Sequence, residues 1–194
     1  MAGGATANHL ETKFKDELLA HLSHVNRLMS TTTPASIIGT QTIALRHFTS
    51  ILPELNKVFS VDELVQITTT FANAVVAAKG QMVIWKLIMY LQVVKGFLFD
   101  IPQARSLLVE AVVIWIKPHF GKFDDLSLSP SDPESIRDAA RISWLESSRL
   151  AVTVLAVMLD KLQQNLVNPQ IVNDRNLYRQ EQYNVECVLS LMPK

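Results

Sequence analysis

Apolar residues recur every three or four positions through most of this chain, and no segment sustains the period-two alternation of a strand. Leu10, Phe14, Leu18, Leu22, Val25 and Met29 form one such stripe and predict a helix over about 8–29, with Lys13, Lys15, Asp16 and Glu17 facing away. A second helix is expected from Pro34 to about Ile51, where Pro53 should end or kink it. A third opens at Ser60, whose side chain can accept from the Glu63 N–H while Glu63 reaches back, a capping box. It carries Leu64, Ile67, Phe71, Val75 and Val76 to a break at Lys79-Gly80. The 81–95 segment is apolar nearly all round, which predicts the most buried helix of the set. Further helices are expected from about Asp100 to Ile116, from about Pro133 to Val167, and from Pro169 toward Leu191. The 133–167 pattern fits one long helix or two, bent near Ser147-Ser148. Its own capping box is Ser131 with Glu134.

The starts are punctuated alike: Thr33-Pro34, Asp100-Ile101-Pro102, Asp132-Pro133 and Asn168-Pro169. Proline fits the first helical turn because that N–H has no intrahelical partner anyway. About seven helices with short connections imply antiparallel hairpins of about 40 residues, the armadillo or HEAT length. The expected fold is all-α, an armadillo/HEAT-like α-solenoid. It is expected to occupy 8–194 as a single helical-repeat domain, with a loop at 121–132 and a disordered lead over 1–7.

Composition narrows the function more than the fold. The 194 residues are 48% hydrophobic and 19% charged, with 18 Lys+Arg against 18 Asp+Glu. A neutral balance gives no general pull toward nucleic acid. The longest apolar runs, 82–98 and 107–116, are interrupted by Lys86, Lys95 and Glu110. They fall short of the roughly 20 apolar residues a bilayer span needs, so no transmembrane segment is expected. The start has no secretory-signal pattern. Cys187 is the single cysteine, expected as a small buried thiol. Neutral, apolar and ending within or just after an apolar helix, the chain reads as a piece of a larger protein.

Candidate chemistry is sparse. Glu17, His21 and His24 share a face of the first helix, but a zinc site usually recruits about four ligands and no partner Cys or Glu cluster stands out. There is no Gly-x-Ser-x-Gly elbow, no His-Glu-x-x-His and no glycine-rich phosphate loop. No catalytic residue, cofactor or metal is expected. Trp85 and Trp115 sit among aliphatic residues and read as core. Trp144 is flanked by charges and is a candidate partner contact, since aromatic anchors are favoured at interfaces. Ile116–Asp125 is the most distinctive stretch. Pro118 and Gly121 stop the helix, and Phe120 and Phe123 anchor its exit. Lys117, His119 and Lys122 form a basic cluster there. The cluster suits an acidic partner, although cations at a helix C-terminus also simply answer its dipole.

Several stretches are familiar together: Ile51-Leu52-Pro53-Glu54-Leu55, Lys79–Leu87, Leu98-Phe99-Asp100 with Ala104-Arg105, and Ile116–Asp124, extended by Leu159-Asp160-Lys161-Leu162. Over roughly Phe48 to Leu162 the chain resembles the helical-repeat (armadillo/HEAT-like) region of dedicator-of-cytokinesis (DOCK) guanine nucleotide exchange factors, fungal members included. The resemblance implies a cytoplasmic protein acting on Rac- and Cdc42-class small GTPases. It also implies that exchange and phosphoinositide binding reside in other modules of the parent. None of the matched residues belongs to those modules. This segment is then a noncatalytic scaffold that works through protein partners. The rivals are a free-standing helical adaptor that holds a peptide or partner helix in its groove, and a small all-α enzyme, for which no constellation argues.

Overall fold

The computed structural model describes residues 3–76, 80–123, 129 and 132–191. Every element among them is helical: α1 (Gly3–Ser30), α2 (Ile38–Leu55), α3 (Val61–Ala74), α4 (Gln81–Lys95), α5 (Phe97–Asp100), α6 (Pro102–Ile116), α7 (Glu134–Leu166), α8 (Pro169–Val172) and α9 (Arg175–Leu189). The all-α class is as expected, with helices stacked side by side as in a helical repeat. The described chain forms two compact units, Met1–Val76 and Ala77–Lys194. The 77–79 stretch, most of the expected 121–132 loop and the proposed cap Ser131 lie outside the described residues.

In the first unit α1 packs against α3 and α2. Its helical turns reach back to Gly3, upstream of the expected start near Asn8. Ala5 and Ala7 are strong helix formers that a glycine pair alone does not override. The predicted stripe is buried only toward its C-terminal end: Leu10 and Phe14 are exposed, and Met29 is buried. The core of the unit is the stacked pair Phe48–Phe71, with ring centroids 3.8 Å apart, beside Leu45, Leu52 and Leu64. Buried Gln41 donates from Nε2 to the carbonyls of Leu28 and Thr31, both at 2.8 Å, which fastens α2 to the end of α1. Pro53 does not end α2. The helix runs on to Leu55, and the Asn56 N–H reaches the Leu52 carbonyl at 2.9 Å. In a last turn the lost proline donor interrupts little. The Ser60–Glu63 capping box forms as read, with the Ser60 N–H donating to Glu63 Oε2 at 2.7 Å and the Glu63 N–H to Ser60 Oγ at 3.4 Å. α3 closes at Ala74, short of Val75 and Val76.

In the second unit Gly80, at φ +77°, caps the start of α4 with a backbone that side-chain-bearing residues rarely adopt. α4 packs chiefly along α7, while α9 lies against α6 and α7. The unit is thus organised by helices distant in sequence, and the adjacent α6 and α7 touch less. α4 is not singled out by burial: α6 buries eight residues to its seven. Trp115 is buried and stacks on Tyr90 at 4.7 Å, whereas Trp85 is half-buried. Asp100 caps nothing. It ends α5, Ile101 is the cap residue of α6, and the Asp100 carboxylate instead takes Lys161 Nζ at 2.6 Å. The 133–167 alternatives resolve to one helix, α7, with Pro133 as its cap residue. The last predicted helix is two. Asp174 accepts from the N–H groups of Asn176 and Leu177 and so restarts the chain as α9. Cys187 is half-buried, not fully buried. Burial, then the Glu110 carboxylate, pushes its thiol pKa up.

By length and composition α7 also qualifies as a membrane-spanning helix, which the apolar runs considered in the sequence did not reveal. A helix that lays one face into a protein core meets the same requirement. α7 does this through Ala151, Val154, Leu155, Met158 and Leu162.

Candidate functional site

The corner after α6 gathers most of the residues that the sequence singles out. Ile116, fully buried, ends the helix, and Lys117 to His119 tighten into a 3-10 turn carrying Pro118. The Phe120 N–H closes that turn on the Lys117 carbonyl at 3.2 Å. Gly121, at φ +144°, then bends the chain with a backbone closed to most side chains. The corner is held to α7 at two points. Ser148 Oγ donates to the His119 carbonyl at 3.1 Å, and the Phe123 ring meets Trp144 edge to face, with centroids 5.8 Å apart.

Trp144 and His119 are thus each tied to the corner, both half-buried, while Lys117 and Lys122 are exposed. Burial lowers the His119 pKa, and the nearby Lys86 charge lowers it further. The imidazole is therefore neutral at pH 7, and the expected basic cluster consists of two lysines beside an uncharged ring. Lys86 is itself pushed down by burial. Lys117 is the cap residue at the C-terminus of α6, where a cation answers the helix dipole. Phe120 and Phe123 are half-buried, so the corner is anchored by partial burial.

Two features escaped the sequence reading. One is a clasp in the second unit. Arg105, from α6, donates from Nη2 and Nε to Glu181 Oε1 of α9 at 2.6 and 2.8 Å. Its Nη1 reaches the carbonyls of Phe99 and Asp100, both at 3.1 Å. Asn184 Nδ2 donates to Glu181 Oε2 at 3.2 Å. Both side chains of the ion pair are 2% exposed. The signal was present: Arg105 sits three positions before buried Leu108, and Glu181 falls four after Leu177 and seven before Val188, on the apolar face of α9. The other feature is a groove of about 330 Å³ in the first unit, floored by Phe48 and Phe71 and edged by Asn26, Gln66 and Thr70. No spacing rule announces it, because three helices contribute.

Glu17, His21 and His24 stand exposed on α1, and no group of metal-ligating side chains converges among the described residues. The model of the family described as "Dedicator of cytokinesis (DOCK) TPR region" matches residues 3–194. No curated protein and no solved structure matches the chain. With an all-helical fold and a family match that runs from its third residue to its last, the chain belongs to the DOCK TPR-region family.

Proposed function

We propose that this chain is a noncatalytic helical scaffold segment of a DOCK-like, cytoplasmic guanine nucleotide exchange factor acting on Rac- or Cdc42-class small GTPases. The observation that carries the reading is the family match over 3–194, since the matched region is helical repeat and not the exchange module. Stacked helices present surface and brace neighbouring modules. The half-buried Trp144, with Lys117, His119 and Lys122 around it, is the surface we assign to a protein partner. Fluorescent-nucleotide release from Rac- and Cdc42-class GTPases tests the reading. The isolated chain at micromolar concentration should leave the rate at its intrinsic value, and a robust acceleration would overturn the proposal.

The first-unit groove favours a second reading, an adaptor that takes an apolar side chain of a peptide or partner helix. An apolar floor beneath neutral amide and hydroxyl groups suits such an anchor. Under this reading Gln66→Ala weakens a captured partner while the nucleotide-release result stays unchanged.

A further inference from the structure

α7 has two faces. The inward face is Ser147, Ala151, Val154, Leu155, Met158 and Leu162, all buried. On the outward face Asp138, Ile142, Leu145, Arg149, Val152 and Ala156 are all exposed. Their spacing of four, three, four, three and four makes one continuous row along the helix. Ile142, Leu145 and Val152 are 64, 58 and 52% exposed, high for large aliphatic side chains. No residue from Glu134 to Glu146 is buried. That stretch is about 20 Å of helix at 1.5 Å per residue, a length that is marginal in water without packing.

We propose that this row pairs antiparallel with the same row of a second copy of the chain, about a twofold axis between Ser143 and Trp144. In an antiparallel pair the facing residue numbers have a constant sum. With the axis placed there, Ile142 faces the partner's Leu145, Asp138 faces the partner's Arg149, and Ser135 faces the partner's Val152. The twofold axis repeats each pair, so four aliphatic side chains lie at the centre with an opposite-charge pair on either side. A shift of one heptad either way destroys this match. One direction sets Leu145 against Arg149, and the other sets Asp138 against Ile142. The charge pattern thus selects both the occupant and the register, as an isologous contact requires. Asp138 already accepts from Arg141 at 3.3 Å on its own helix, and a carboxylate has further lone pairs to offer. A lipid surface fits less well, because Asp138 and Arg149 interrupt the apolar row. One helix pair is a small interface, under ~1,200 Å², so the dimer forms weakly and with strong concentration dependence.

Sedimentation equilibrium of the full chain over a hundredfold concentration series tests the pairing. The mass should rise from one copy toward two. Asp138→Arg and Arg149→Asp each set like charges face to face and should weaken association about tenfold or more. The double reversal restores opposite charges and should bring affinity back to within a few-fold of the starting protein. Ile142→Glu with Leu145→Glu should leave a monomer with an unchanged far-UV CD spectrum. A chain that is monomeric throughout overturns the proposal, as does a dimer indifferent to the reversals or a double reversal that fails to rescue. A monomer that floats with phosphatidylcholine vesicles and loses them on the Glu substitutions would assign the row to lipid instead. The proposed scaffold function stands or falls separately, by nucleotide release.

Discussion

Each unit of this protein is fastened by a cation–carboxylate pair, and the two pairs differ in kind. In the first unit Lys15 Nζ lies 3.0 Å from both oxygens of Glu63, and also 5.2 Å above the Phe59 ring. The side chains are 28 and 40% exposed. In the second unit Arg105 and Glu181 meet at 2.6 Å with 2% exposure each. Water already screens the first pair, so losing it returns two well-solvated charges. The second pair has surrendered its water. Removing one partner strands the other in a low-dielectric interior. The lesson is that separation alone does not set the worth of a contact. The first unit has the Phe48–Phe71 stack in its core, while the second sets a polar clasp among its buried apolar residues.

The contrast can be broken most sharply at Glu181. Glu181→Ala should destabilise the second unit by about 3–5 kcal/mol, the usual cost of an uncompensated buried charge. Arg105→Met combined with Glu181→Leu should recover most of that loss, because the desolvation cost disappears with both charges. All three tryptophans, Trp85, Trp115 and Trp144, lie in the second unit, so tryptophan fluorescence during urea unfolding reads this unit alone. If Glu181→Ala unfolds at the same urea concentration as the unaltered chain, the clasp contributes nothing.

A smaller effect is expected at the corner. Phe120→Ala should cost about 2 kcal/mol, less than the 3–5 of a fully buried ring, because the ring is only partly buried. Lys122→Ala should change stability by less than ~1 kcal/mol. If thermal melts show Phe120→Ala unaltered while Lys122→Ala abolishes binding to a partner, the corner is a recognition loop and not an anchor.

The exposed tie should matter less again. Lys15→Ala should cost at most ~1 kcal/mol and leave the tryptophan transition where it was, since it touches only the first unit. Far-UV CD, which sees both units, is the measurement that detects or excludes it.

Two titrations sharpen the comparison further. The N–H of Ser60 and then Lys15 hold the Glu63 pKa below its usual value. Its contribution is therefore complete above about pH 4.5 and is lost as pH falls through the lowered value. Glu63→Gln should flatten that acid limb for the first unit. His119 is lowered by burial, so its neutral form favours the fold above about pH 6.5, and stability declines as pH drops below that. His119→Gln should remove this slope from the second unit's urea midpoints between pH 7 and 5. A slope of the opposite sign would show that the folded unit prefers the charged ring.

Local rules explain why so much of the architecture was readable. The Ser60–Glu63 box, the Asn168 side chain that accepts from the Gln170 N–H and the positive-φ Gly121 each depend on atoms within three or four residues, so residue order alone declares them. The same locality explains the errors. Pro53 falls in the final turn of α2, a position that the residue type alone does not disclose. Asp174 lies within an apolar stripe that continues on both sides of it, so periodicity alone does not declare the restart there. The candidate patch was partly legible: Trp144 and the 117–123 corner stood out by residue type. Their meeting through Phe123 and Ser148, and the neutral state of His119, did not.

By itself, the sequence determined that this protein is built of helices, roughly where most begin, and which family it resembles, because helix signals are short-range and repeat every turn. Only the tertiary structure decided that α7 lies along α4, that Arg105 finds Glu181 across 76 positions, and that Phe120 is half-buried. An amphipathic helix states which face must be covered but not by what, and that choice belongs to the packing of helices far apart in the chain.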